Sequence, residues 1–302
     1  MLMKRANLLQ SFCRSSGNFK LYSVAQPSPL TLEKLSGADQ AFRNRASSTP
    51  QTGHQKCDFT ADASKVKFHF DFVLLSTFQL RESVEEIKFD KSTRVLILKS
   101  DVPGAFCTGA DLKERKTMPI DEVPKFVDGI RQLTNQISSL PMPVIAAVDG
   151  FALGGGLELA LACDIRVASV NSKLGLVETK IAIIPGAGGT QRLSRLVGPA
   201  LAKELIFTAK VLSGTEAKSI GLVNHVVEDP NKKAKEIARD ILKTGPISIR
   251  VAKIAIDQGS EVDLNSGLTI EQQCYAQVIN TKDRIEGLQA FAEKRAPQFK
   301  GE

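Results

Sequence analysis

One stretch, PVIAAVDGFALGGGLELALACDIRVA at residues 143–168, constrains the fold more than any other part of the chain. It opens with a short apolar run, Pro143–Val148, of the length expected for a buried strand. Three glycines follow, Gly154, Gly155 and Gly156, and the chain then enters LELALAC, which reads as the start of a helix. IRVA reads as the next strand. Strand, tight turn, helix and strand in so short a span is the building unit of an α/β fold.

The same alternation continues on both sides. Arg94–Lys99, RVLILK, is a second buried strand, and the stretch DVPGAFCTGADLKER after it reads as a loop. Residues 123–139 look helical. KLGLVE is a short extended piece before the turn-rich IIPGAGGTQRL. Helices are expected at 199–209 and 214–220, with GLVNHVV between them and the tail. Upstream, Val73–Phe89 suits an amphipathic helix with Leu80, Val84 and Ile87 on one face. KVKFHFDF, Lys65–Phe72, has the alternation of a strand. The last third carries three helical stripes, in ISIRVAKIAIDQ, SGLTIEQQCYAQVI and TKDRIEGLQAFAEKR. No internal repeat is visible.

With 302 residues, 42% of them hydrophobic, a core of useful size is available. The formal charge is +7, but residues 1–50 carry +5 of it and the rest of the chain only +2. The protein therefore has a basic terminus rather than the basic body of a nucleic-acid binder. Tryptophan is absent and there are two tyrosines, too few for a stacking platform. The first residues, MLMKRANLLQSFCRSSGNFKLYSV, are basic and serine-rich, with no acid before Glu33. Leu8, Leu9 and Phe12 fall at helical spacing near Lys4 and Arg5. This is the pattern of a mitochondrial transit peptide, with a basic tail as the alternative.

The expected organisation is a transit segment at 1–30 and an irregular linker at 31–70. A core at 71–235 and a C-terminal helical region at 236–302 follow. No stretch approaches the ~20 apolar residues of a membrane span. Five dispersed cysteines read as free thiols, and three separated histidines give no metal site.

Two glycine-rich turns, Gly154–Gly156 and Pro185–Gly189, match neither dinucleotide nor P-loop spacing. No G-x-S-x-G elbow is present. The amide of Gly155, at a helix start, would point outward and suit a developing oxyanion. Ala110, in GAFCTGADLKE, could supply a second donor; each turn also reads simply as a packing turn. Glu158 and Glu178 stand in apolar surroundings, where a carboxyl is held near working pH for acid–base chemistry. The alternative for the pair is an exposed helix residue and an ordinary loop acid.

Taken together, AFCTGADLKE, PVIAAVDGFALGGGLELALACDIRVA, GLVETKIAIIPGAGGTQRL, AKELIFTAK and AFAEKRAPQF resemble the enoyl-CoA hydratase/isomerase (crotonase) family. The resemblance runs from about Arg94 to Glu302. It is strongest to the methylglutaconyl-CoA hydratase branch and its enoyl-CoA hydratase domain-containing relatives. It implies an α/β spiral of ββα units, like the ClpP/crotonase fold, with a C-terminal helical trimerisation region. The assembly implied is a homotrimer or a dimer of trimers.

The resemblance also assigns roles. The amides of Ala110 and Gly155 form an oxyanion hole for an acyl-CoA thioester. Ala110, Asp111, Leu112 and Lys113 contact that substrate. Glu158 handles the attacking water, Glu178 exchanges the α-proton, and Gly186 lines the same site. Phe291 and Lys294 match positions that reach the CoA of a neighbouring subunit. No cofactor is implied beyond the CoA of the substrate, and no metal.

Both acids together favour hydration over double-bond isomerisation. An RNA-binding or catalytically impaired protein of the same fold is the other alternative. The helix STFQLRESVEEIKFDKS holds only three basic residues against four acids, so RNA is not supported by charge. The resemblance further implies two leading strands with an Asn-Ala-Leu-like segment, which residues 25–72 do not display.

Overall fold

The computed structural model describes residues 19–25, 66–69 and 77–302. Two sheets organise the chain. The larger contains β1 (Phe19–Ala25), β2 (Val66–His69), β3 (Thr93–Ser100), β5 (Val144–Val148), β7 (Ile165–Ser169) and β10 (His225–Val227), in the order β10-β7-β5-β3-β1-β2. Strands β3, β5, β7 and β10 run parallel, and β1 is antiparallel to both β3 and β2. The smaller sheet contains β4 (Ala105–Cys107), β6 (Phe151–Leu153), β8 (Lys173–Gly175) and β9 (Leu212–Ser213), in that order.

The helices complete each turn of a spiral. They are α1 (Thr77–Phe89), α2 (Leu112–Thr117), α3 (Val123–Ser138), α4 (Gly155–Leu161), α5 (Gly189–Val197), α6 (Pro199–Phe207) and α7 (Gly214–Ser219). The remaining four are α8 (Pro230–Leu242), α9 (Pro246–Gly259), α10 (Leu264–Ile279) and α11 (Lys282–Ala292). Each circuit places one strand in each sheet: β3 then β4, β5 then β6, β7 then β8. These are the ββα units that the resemblance implies.

The parallel strands are apolar on both faces because both faces are covered. Leu96, Leu98, Val144, Ala146 and Ala168 point into the main core. Their alternates Val95, Ile97, Ile145, Ala147 and Val167 pack against Ala234 and Ala238 of α8. Leu80, Val84 and Ile87 of α1 are all buried in the main core, as their spacing predicts.

Several expectations change. The stretch read as a loop after β3 contains β4, and the approach to the glycine triplet contains β6. The turn-rich IIPGAGGTQRL leads directly into α5. Helix α8 spans the expected boundary at 235/236 and packs under the main sheet, so that boundary falls inside a helix. Its start is set by the Asp229 carboxylate capping the Lys232 amide, with Pro230 in the first turn.

Of the helix expected over Val73–Phe89, the described part is α1 (Thr77–Phe89), and of the strand expected over Lys65–Phe72 it is β2 (Val66–His69); the remainder of both lies outside the described residues. Together β1 and β2 supply two leading strands, and β1 lies within the stretch read as a transit segment. The rest of that segment and of the 31–70 linker lies outside the described residues.

Candidate active site

The small sheet exists to bring three backbone turns together. Gly156 packs α4 against β4 so closely that a Cβ there would lie 1.9 Å from the Cys107 carbonyl oxygen. Gly109, with φ +86°, runs against the glycine turn with more room: its Cβ would stand 3.2 Å from the Gly155 amide nitrogen. Ala110 therefore follows a residue in contact with Gly155, and both line one cavity of about 1160 Å³. Gly155 is the first residue of α4, so its amide has no acceptor within the helix. The two expected oxyanion donors thus share a wall.

Glu158, one turn into α4, is 3% exposed. Its Oε1 accepts hydrogen bonds from the amides of Ala187 and Gly189, each at 2.8 Å. Gly189 allows this, since a Cβ there would be 2.9 Å from that same oxygen. Burial raises the Glu158 pKa, and the two amides, Arg192 and Arg131 oppose the rise. Such amide contacts favour the ionised form.

Glu178 begins the 3-10 turn Glu178–Ile181, separated from β8 by Leu176 and Val177, and is 9% exposed. The Gly154 amide donates to the Gly175 carbonyl at 2.9 Å, tying the glycine turn to the end of β8. Gly154, at φ +53°, then faces Glu178: its Cβ would sit 3.4 Å from Glu178 Oε1. Burial, assisted by the charge of Glu158, pushes the Glu178 carboxyl up to about 7. Its Oε2 is buried and meets no hydrogen-bonding partner. Two carboxyls of one cavity are thus set apart: one is gripped by donors, the other is held near neutrality with an open oxygen.

Residues 72–302 match the Enoyl-CoA hydratase/isomerase family. This chain belongs to that family. Over 229 residues it is 60% identical to rat (Rattus norvegicus) "Methylglutaconyl-CoA hydratase, mitochondrial", covering 74% of this chain and 73% of the relative. It is 54% identical over 229 residues to human (Homo sapiens) "Enoyl-CoA hydratase domain-containing protein 2, mitochondrial", covering 74% and 78%. Among solved structures, an enoyl-CoA hydratase from Bacillus anthracis superposes with a TM-score of 0.74 at 53% identity, covering 75% of this chain and 88% of that one.

For this family member, the expected site residues divide into two groups. Ala110, Leu112, Gly155, Glu158, Glu178 and Gly186 all line the cavity. Gly186 leaves room for α3, because a Cβ there would be 2.7 Å from Val127 Cγ1. Asp111 does not line the cavity, and its backbone carbonyl instead receives the Arg115 amide at 3.0 Å in the first turn of α2. The side chain of Lys113 lies outside the described residues. Phe291 and Lys294 do not reach the cavity of their own chain; Phe291 is 87% exposed at the end of α11.

Four further contributors to the site are not announced by residue type, although two of them fall in the Pro185–Gly189 turn that the sequence singles out. Ala187 and Gly189 act through backbone amides. Thr134 and Arg192 both donate to the Ala187 carbonyl, at 2.8 and 3.0 Å. The i, i+4 spacing of Phe126, Ile130 and Thr134 along the 123–139 helix was the one available signal, since it places these side chains on one face.

Proposed function

We propose that this protein is an enoyl-CoA hydratase, adding water across the 2,3-double bond of a 2-enoyl-CoA thioester. The observation that carries this reading is the pair of buried carboxyls, Glu158 and Glu178, in one cavity that Ala110 and Gly155 also line. The thioester oxygen accepts both amides, which favours the enolate-like charge of the transition state. Glu158, positioned by the Ala187 and Gly189 amides, takes a proton from water as its oxygen attacks the β-carbon. Glu178, protonated up to about pH 7, gives its proton to the α-carbon. A proton then passes from Glu158 to Glu178 to restore the starting state. The chemistry needs no cofactor beyond the CoA of the substrate.

The substrate favoured is 3-methylglutaconyl-CoA, on the strength of the relatives that carry that name. The names of these relatives and the basic N-terminus support a mitochondrial, matrix location. A homotrimer, or a dimer of trimers, accounts for the exposed apolar side chains of α10 and α11: Leu264, Leu268, Leu288 and Phe291. In such an assembly Phe291 and Lys294 reach a neighbour's CoA.

A panel of 2-enoyl-CoA thioesters, including 3-methylglutaconyl-CoA, tests the proposal. The 3-hydroxyacyl-CoA product is expected. A shifted alkene would make the protein an isomerase, and a folded protein with no turnover on any thioester would leave a non-enzymatic member of the fold.

A further inference from the structure

The hydrogen bonds around Glu158 continue outward by one more step. The amide that grips Glu158 Oε1, Ala187 N–H, belongs to the same peptide unit as the Gly186 carbonyl. That carbonyl accepts a hydrogen bond from Nε of Arg131, on α3, at 3.0 Å. No peptide bond among the described residues is cis, so the C=O and N–H of this unit point in opposite directions across one plane. Whatever fixes the oxygen fixes the direction of the hydrogen. Arg131 stands on one side of the peptide and Glu158 on the other.

We propose that Arg131 is a positioning residue for Glu158, acting through the Gly186–Ala187 peptide. The inference rests on the reading of Glu158 as the residue that handles water. A cation on the carbonyl does two things here. It locks the plane so that the N–H stays on the carboxylate, and it polarises the peptide so that the N–H becomes a stronger donor. The guanidinium is half-exposed, but Ala187 is 3% exposed, so the peptide carries the effect into a region that water does not screen.

Arg192 is placed differently. It holds the Ala187 carbonyl, which belongs to the next peptide unit, and is also tied to Asn135 Oδ1 at 2.7 Å. The N–H of that unit is Gly188, not a donor to Glu158. The other peptide that contacts the carboxylate, Gly188–Gly189, has its carbonyl held by the Gln191 and Arg192 backbone amides of α5; Arg131 is the side chain bonded to the far end of the Gly186–Ala187 unit. The other charged groups in view of Glu158 are Glu178 from the 3-10 turn and Arg192 from α5. Arg115, Lys180, Arg195 and Glu261 line the same cavity, and Asp128 sits 3.7 Å from Arg131 Nη1. None of these occupies the Gly186 carbonyl.

The test compares the full-length wild type with Arg131→Gln, Arg131→Ala and Arg131→Lys. Protein labelled with ¹³C at glutamate carboxyls is titrated by NMR, the Glu158 signal being the one lost in Glu158→Gln. Loss of the cation should move the Glu158 midpoint up by about half a pH unit or more. Lysine keeps the charge but not the planar fork, so its midpoint should fall in between. In turnover assays kcat should drop roughly tenfold in Gln and Ala, with KM within about twofold. The acid limb of the kcat profile should move to higher pH, because ionised Glu158 then appears later.

A midpoint that stays at the wild-type value in any folded variant of the three overturns the proposal. So does a raised KM with unchanged kcat, which would make Arg131 a reader of substrate. The titration needs no turnover, so it gives its answer even if the protein proves not to be a hydratase.

Discussion

Glu158 and Gly189 are joined by a 2.8 Å hydrogen bond from the glycine amide to a carboxylate oxygen that also accepts the Ala187 amide. One oxygen is held twice, and the other is left to the cavity. Glu158→Gln retains the shape but cannot take a proton from water. Steady-state hydration assays should show kcat lower by about 10²–10⁴-fold, with KM changed only a few-fold. Near-normal turnover in this variant would remove Glu158 from the chemistry.

Gly189→Ala tests the grip itself. The added methyl meets Glu158 Oε1 at 2.9 Å and Leu176 Cδ1 at 3.0 Å. The carboxylate must move off the amides, and the packing must yield. The variant should fold with stability lower by about 1–3 kcal/mol. Urea denaturation reads that loss, and kcat measured alongside should fall with it. Unchanged kcat would show that the two amides do not set the position of Glu158.

Glu178 gives a prediction in pH. Its folded pKa, about 7, lies above the ordinary value of 4.5, and burial is the main cause. A raised carboxyl pKa favours the folded state at low pH, and this contribution is lost as pH rises from about 4.5 through about 7. Glu178→Gln should therefore be more stable than the wild type at pH 8, by about 1–3 kcal/mol, and little different at pH 4. Melting curves at the two pH values check this. Activity should fall on the alkaline side as Glu178 loses its proton. In Glu158→Gln the neighbouring charge is gone, so the Glu178 midpoint should move down, which a carboxyl titration reads.

Asp283 anchors the chain's last residues. Its buried carboxylate accepts the amides of Lys300 at 2.7 Å and Gly301 at 2.8 Å, and Arg94 feels its charge. Asp283→Ala leaves two donors without their acceptor and should lower stability by about 3 kcal/mol. Limited proteolysis should then trim the tail from the folded variant. A tail that remains protected would place its anchorage elsewhere.

The parts of the fold legible in the sequence are those with enough residues to show a period. Leu80, Val84 and Ile87 mark α1 by their spacing, and the uninterrupted run Val144–Val148 marks a strand covered on both faces. Strands β4, β6 and β9 have two or three residues each, too few for any alternation to register, whereas β8 falls in KLGLVE, which reads as extended. Helix α5 was hidden by the glycines that precede it. Helix α8 did carry a signal, Asp229-Pro230, but its charged surface masks a buried side made of alanines.

The same division holds in the site. Glu158 and Glu178 stand out because an acid in an apolar run demands an explanation. Ala187, Gly189 and Arg131 do not, because their contribution is a backbone direction or a bond to a carbonyl, which no residue type announces.

The interleaving of the two sheets has a kinetic corollary. Ala110 comes from the first circuit of the spiral, Gly155 and Glu158 from the second, Glu178 and the Glu158-binding amides from the third. No fragment holding one or two circuits contains a site. On dilution from denaturant, the β3–β5 pair of the main sheet can register early by circular dichroism, while turnover waits for the last circuit, which carries β7 and β8, to dock. Recovered activity is then a clock for final assembly, and its lag behind the spectroscopic signal measures how late the third circuit closes.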